Sequence, residues 1–355
     1  MKLGFGLYKH MLRKEYYQFA RQCGATHVII HLVDYFKKPD IKNKNDQPVG
    51  GSEGWGYTLD TPLWTLEELK AIKKEINEAG LILEGIENFD PAHWYDILLD
   101  GPKKKQQVED IKTILRRIGE AGIPVMGYNF SIAGVSSRIS GPFARGGAVS
   151  VGMDGQVDET AIPDGMVWNM IYDDSKNSEK KVNPFSHDEL WQRLDWFLKE
   201  IIPVAEEAGV TMAAHPDDPP VPMVRNTPRL VYQPQLYDKL INVVDSPSNR
   251  LEFCLGSIAE MTEGDVYEAT DAYSKQNRIA YIHFRNVVGK APHYKEVFID
   301  EGDIDMLRIL KILKKNNYQG VLIPDHTPQM TCDAPWHAGM AYAMGFMQAA
   351  LKGLK

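Results

Sequence analysis

Four residues in the C-terminal half combine reactive side chains with equivalent positions. His215, Cys254, His283 and Asp325 each close a short apolar run, in Ala213-Ala214-His215-Pro216-Asp217-Asp218, Glu252-Phe253-Cys254, Tyr281-Ile282-His283-Phe284-Arg285-Asn286 and Ile323-Pro324-Asp325-His326. A single histidine or cysteine in such a place is ordinarily a satisfied core residue or a small buried hydrophobe. Four of them, ending four consecutive units, form a ligand set. Two nitrogens, one sulfur and one oxygen suit a divalent cation of borderline softness: Zn2+ by softness, Mn2+ or Co2+ if coordination positions must stay open.

The elements that must carry these residues alternate strictly. Short β-rich runs at 2–7, 27–32, 81–86, 124–128, 211–214, 250–254, 279–283 and 321–324 each precede a segment of helical periodicity. The helices are expected at 13–23, 65–79, 106–121, 186–208, 234–243, 265–277, 303–316 and 337–351. Thr65 with Glu68, and Ser186 with Glu189, have the spacing of helix-opening capping boxes. Eight strand–helix units predict an α/β fold of the (β/α)8 TIM-barrel class, as one domain over 1–355, with a doubly wound sheet as the alternative. Long βα-loop insertions are expected at about 33–63 and 131–185; the second has no clear periodicity and the length of a loop over an active site. In a barrel the strand ends converge at one mouth, which would bring the four ligands together without any local motif.

Composition narrows the function class. With 43% apolar and 25% charged residues among 355, the chain can build a core of ordinary size. The net charge of -8 and the dispersed lysines and arginines speak against a nucleic-acid surface. No apolar run reaches the roughly 18 residues that span a bilayer, so no membrane association is expected. Residues 1–14 do not read as a signal peptide, and three cysteines leave an odd thiol, which suits a reducing cytoplasm. After the first strand, Gly4-Phe5-Gly6-Leu7-Tyr8 is no dinucleotide fingerprint, and no Walker-type loop occurs.

The segments around the ligands resemble the mannonate dehydratase family: His215-Pro216-Asp217-Asp218-Pro219-Pro220, Cys254-Leu255-Gly256-Ser257, His283-Phe284-Arg285-Asn286-Val287 and Pro324-Asp325-His326. Weaker echoes are Ile86-Glu87-Asn88, Gly127-Tyr128-Asn129-Phe130 and Val243-Val244-Asp245-Ser246-Pro247. The resemblance implies a xylose-isomerase-like barrel, a cation on the same four residues with Mn2+ first, and dehydration of D-mannonate or a related aldonate to a 2-keto-3-deoxy acid. It places His326 as an acid/base, with substrate contacts at Arg285, Asn129, Asn286 and Asp217. Family members carry a tyrosine acid/base after the Asp-His pair; aligned back from Gly345, this chain has His337 there. A small sugar acid or sugar is the expected partner, and a homo-oligomer the expected assembly.

Two other functions use the same residues. A metal-dependent sugar isomerase or epimerase also removes a proton next to a carbonyl, with His326 and Glu87 as its bases. A non-catalytic sugar-binding protein would need only a structural metal closed by four protein ligands. The mass of the product separates the first two, since only a lyase loses water.

Overall fold

The computed structural model describes residues 1–36, 55–176 and 179–354. Most of the first expected insertion, 37–54, lies outside the described residues.

Eight parallel strands close into a barrel in chain order. They are β1 (Lys2–Leu7), β2 (His27–Ile30), β3 (Ile82–Glu87), β4 (Val125–Tyr128), β5 (Thr211–Ala214), β6 (Asn249–Cys254), β7 (Ile279–His283) and β8 (Val321–Ile323). Closure is made by β8 against β1, with Val321 opposite Lys2 and Leu322 opposite Leu3. Each strand is short and buried on both faces, which is why it reads as a nearly continuous apolar run. The barrel is filled: Ile29, Val125, Ala213, Tyr281, Val321 and Ile323 form an inner cluster of their own. Among the described residues no helix is long and apolar enough to cross a membrane.

The helices are α1 (Lys14–Gln22), α2 (Leu66–Glu78), α3 (Lys104–Glu120), α4 (His187–Ala208), α5 (Leu236–Val243), α6 (Val266–Lys275), α7 (Met306–Lys315) and α8 (Pro335–Gly353). Thr65 caps α2 through the Glu68 amide, and Ser186 with Glu189 forms the reciprocal box that opens α4. Of the expected helix starts, the one at 303 moves furthest. Helix α7 begins after Asp305, whose carboxylate accepts from the Leu307 and Arg308 amides, whereas Asp303 accepts from Gly289.

The segment after β4 holds more structure than its periodicity suggested. Strands Ile139–Ala144 and Ala148–Asp154 pair as a hairpin, and this hairpin joins a second one, Asn286–Lys290 with His293–Val297, from the loop after β7. The result is a four-stranded antiparallel sheet built from two loops more than 130 positions apart in the chain. The junction between the two hairpins is non-local, so neither loop alone betrays it. This sheet delivers Arg138 and Glu296 to the barrel mouth.

Candidate active site

The strand ends do converge. His215 follows β5 directly, while Cys254 and His283 are the last residues of β6 and β7 and stand opposite each other in register. Ligand atoms of His215, Cys254 and His283 all lie within 4.8 Å of one another. Asp325, two residues past β8, reaches the same spot from the side, with Oδ2 3.5 Å from His283 Nδ1 and 4.0 Å from Cys254 Sγ. Its backbone is left-handed, with φ 56°, a conformation that aspartate tolerates better than most residues.

The hydrogen bonds around the histidines decide which nitrogens are free. His215 Nδ1 lies 2.6 Å from the Pro216 carbonyl oxygen, so this nitrogen carries the proton and Nε2 remains as a donor atom. At His283 the arrangement is reversed. Nε2 faces Glu87 Oε2 at 3.3 Å and Glu252 Oε1 at 3.2 Å, which places the proton there. His283 Nδ1 is buried and has no hydrogen-bond partner. An orphaned imidazole nitrogen beside a thiolate, a second imidazole and a carboxylate fits a divalent cation.

The metal-free charge state agrees with this reading. Burial pushes the Cys254 thiol up, but the Arg285 guanidinium and the neighbouring imidazoles of His215 and His283 outweigh it, bringing the thiol down to about 5. Burial lowers His215, yet the adjoining Cys254 and the charge of Glu252 hold it up at about 9. Glu252 itself is pushed well above the carboxylate range by burial and by Glu87.

Glu252 sits two residues before Cys254 on β6 and therefore points into the barrel with it. Gly127 on β4 makes room for this group: a Cβ there would collide with the Tyr281 hydroxyl and the Glu252 carboxylate. Gly127→Ala is therefore expected to destabilise the fold by about 1–3 kcal/mol, the usual cost of overpacking, and to loosen metal binding by moving Glu252 off His283. Urea denaturation and metal titration would measure the two effects; an unchanged midpoint and affinity would mean the site has slack.

His326 lies on the cavity wall. Its Nδ1 is 3.1 Å from Glu296 Oε2, and its Nε2 is 3.5 Å from Asp325 Oδ1. Glu87 and Asn129 line the same cavity. The Asn129 amide donates to the Pro216 carbonyl and accepts from Trp168 Nε1, so it props the ligand turn against an aromatic wall. Arg285 also lines it, but its guanidinium is spent on protein groups. Nη1 donates to Glu296 at 2.9 Å; Nη2 donates to Asp218 at 3.0 Å and Ser257 at 3.1 Å; Nε abuts Gly256.

Three sequence-based assignments are corrected. Asp217 does not face the cavity: its carboxylate accepts from the Leu230 and Val231 amides and from Arg229. Asn286 is equally committed, donating to the Ile299 and Ile304 carbonyls and accepting from the Val287 and Ile304 amides. His337 stands on α8 against the rings of Tyr16 and Phe19 from α1, with centroids 5.7 Å and 4.7 Å away, and is not part of the cavity wall. An ungapped reading of sequence gets the position along a helix but not the face.

Sequence reasoning missed Tyr8, His31, Glu252, Arg138, Asp218 and Glu296. Tyr8 and His31 immediately follow β1 and β2, so the strand-end rule that found His215 would also have found them. Tyr8 stacks on His31 at 4.7 Å, and its hydroxyl has no hydrogen-bond partner among the described residues. Glu252 follows from alternation along β6. Arg138 and Glu296 carry no local signal.

The family model for D-mannonate dehydratase (UxuA) matches residues 46–354. The mannonate dehydratase of Streptococcus pneumoniae (strain 70585) is 34% identical over 312 residues, covering 82% of this chain and 83% of the relative. That of Lactococcus lactis subsp. cremoris (strain MG1363) is 34% identical over 294 residues, covering 76% and 81%. The crystal structure of mannonate dehydratase from Streptococcus suis serotype2 superposes with a TM-score of 0.73 at 27% identity, covering 100% of this chain and 94% of that one. A D-psicose 3-epimerase from Clostridium cellulolyticum H10, with a TM-score of 0.55 at 13% identity over 99% of this chain and 98% of that one, shares the fold alone.

Proposed function

Because the chain belongs to the D-mannonate dehydratase family, it is an enzyme that dehydrates a sugar acid, and we propose that His215, Cys254, His283 and Asp325 hold its divalent cation. Mn2+ is the first candidate, with Zn2+ or Co2+ as alternatives. The observation that carries this assignment is the orphaned His283 Nδ1 beside Cys254, His215 and Asp325. When bound there, a dication supplies Lewis-acid stabilisation of negative charge on substrate oxygens. The three cysteines are free thiols, which fits work in a reducing cytoplasm.

Dehydration breaks a C–H bond next to the carboxylate and a C–O bond on the neighbouring carbon. One proton must leave, and a second must reach the departing hydroxyl, so the balance is loss of one water and an enol that becomes the 2-keto-3-deoxy acid. We assign the first proton to His326. Glu296 accepts from Nδ1, which leaves Nε2 as the nitrogen that takes or gives a proton. The second falls to Tyr8. Burial, with the charges of Asp325 and Glu87, raises its phenol far above the ordinary value, so it stays protonated as a donor. Its stacking on His31 fixes the ring. Tyr35, Trp55 and Trp168 continue the wall and screen the site from bulk water.

The direct test is mass spectrometry of D-mannonate and related aldonates incubated with metal-reconstituted enzyme. Loss of one water from one of them is expected; conversion without mass change would replace the reading with an isomerase or epimerase. The proton assignments have their own test. Tyr8→Phe should lower kcat by roughly two to four orders of magnitude. His337→Ala, within the α1–α8 contact, should change it by less than about threefold. The opposite pattern would return the acid role to the α8 histidine.

A further inference from the structure

We propose that Arg138, delivered by the insertion after β4, grips the carboxylate of the sugar acid and so selects acids over neutral sugars. The inference rests on the dehydratase reading of the cavity and deepens it. Among the described residues lining the cavity, Arg138 and Arg285 are the cations apart from histidines. Arg285, the sequence-based choice for this role, has both Nη groups committed to Asp218, Ser257, Glu260 and Glu296; its Nε makes no hydrogen bond among the described residues but lies against Gly256. It organises the protein side of the site.

Arg138 differs at its Nη groups. Its side chain is 2% exposed, yet Nη1 is held only loosely, 3.4 Å from Glu296 Oε1 and 3.8 Å from Asp218 Oδ2. Nε, like that of Arg285, makes no hydrogen bond among the described residues, but no glycine backbone lies against it. A buried guanidinium with unmade hydrogen bonds is costly unless something else completes them, and a carboxylate matches its fork. The backbone also shows design for this placement. Ser137, just before it, is left-handed with φ 62°, and its hydroxyl accepts from the Asp158 amide. The next residue, Ile139, enters the four-stranded sheet opposite Gly152. The chain thus turns at Ser137 and aims Arg138 into the mouth. The acids around it, Asp218 and Glu296, are already shared with Arg285, so they do not neutralise Arg138 one for one.

The experiment compares a charged ligand with a neutral one of the same carbon chain. In Arg138→Met, KM for D-mannonate should rise by roughly 100-fold with kcat changed only a few-fold. Inhibition by D-mannonamide, which lacks the negative charge, should weaken by less than about threefold. Arg138→Lys should recover part of the loss but not all, since an ammonium cannot make the paired contacts. Equal weakening of both ligands would mark Arg138 as merely structural, and an unchanged KM for D-mannonate would overturn the proposal. Circular dichroism and melting of both variants confirm folding, and the milder Arg138→Lys decides if Arg138→Met does not fold. Loss of water by the unaltered enzyme tests the dehydratase reading separately.

Discussion

Dialysis against a chelator is expected to abolish dehydration, and readdition of Mn2+ to restore it. Cys254→Ser is expected to do much the same permanently. A hydroxyl is a poor substitute for a thiolate that the site already holds ionised near pH 5. Loss of a supporting carboxylate typically costs roughly 10–100-fold in metal affinity, and loss of a ligand should cost more. The apparent affinity should also fall with pH. The cation must displace a proton from His215, whose pKa is held up near 9, and another from His283, which is raised well above its ordinary value. Each competing proton weakens binding about tenfold per pH unit below its pKa. Cys254 adds no such competition above about pH 5. Metal content after dialysis, read across pH 6–9, checks the whole set. Full occupancy in Cys254→Ser, or affinity independent of pH, would remove Cys254 or the histidines from the ligand set. Saturating metal should also raise the melting temperature, by about 2.7 kcal/mol of stability at one hundred times Kd.

His326→Asn should lower kcat by roughly two to four orders of magnitude while leaving metal content intact. The amide keeps the size of the group and can still meet Glu296, but it cannot carry a proton through the reaction. Burial lowers the His326 pKa, yet the charges of Asp325 and Glu296 outweigh it, so the group is raised above 6.5. Glu296→Gln removes part of that support, so the limb of the pH–rate profile belonging to His326 should move to lower pH. A His326→Asn enzyme with near-normal kcat would pass the proton to His31 or Glu87, which line the same cavity.

Much of this enzyme was legible in its residues. Parallel strands buried on both faces must be apolar, and Thr65, Ser186 and Asp265 mark helix starts because their side chains satisfy the first amides. Eight such units leave few ways to fold, and a barrel brings all strand ends to one mouth. The proposed metal ligands follow from that topology: His215, Cys254 and His283 end consecutive strands and meet without any local motif. Glu87 and His326 came instead from the resemblance to the family, while Tyr8 and His31 obey the strand-end rule.

What the residues did not decide was direction and long-range pairing. Asp217 and Asn286 stand within three positions of a ligand, yet their short polar side chains bind neighbouring backbone instead of substrate. His337 falls on the face of α8 that packs on α1 because Tyr16, Phe19 and Trp336 bury there. Arg138 and Glu296 meet only because two hairpins from distant loops pair edge to edge. Periodicity reports which face of an element is buried, but a loop residue reaches its partner through contacts made elsewhere in the chain. The strand ends were therefore written locally, while the substrate-facing charge was settled by the tertiary packing of the insertions over the barrel mouth.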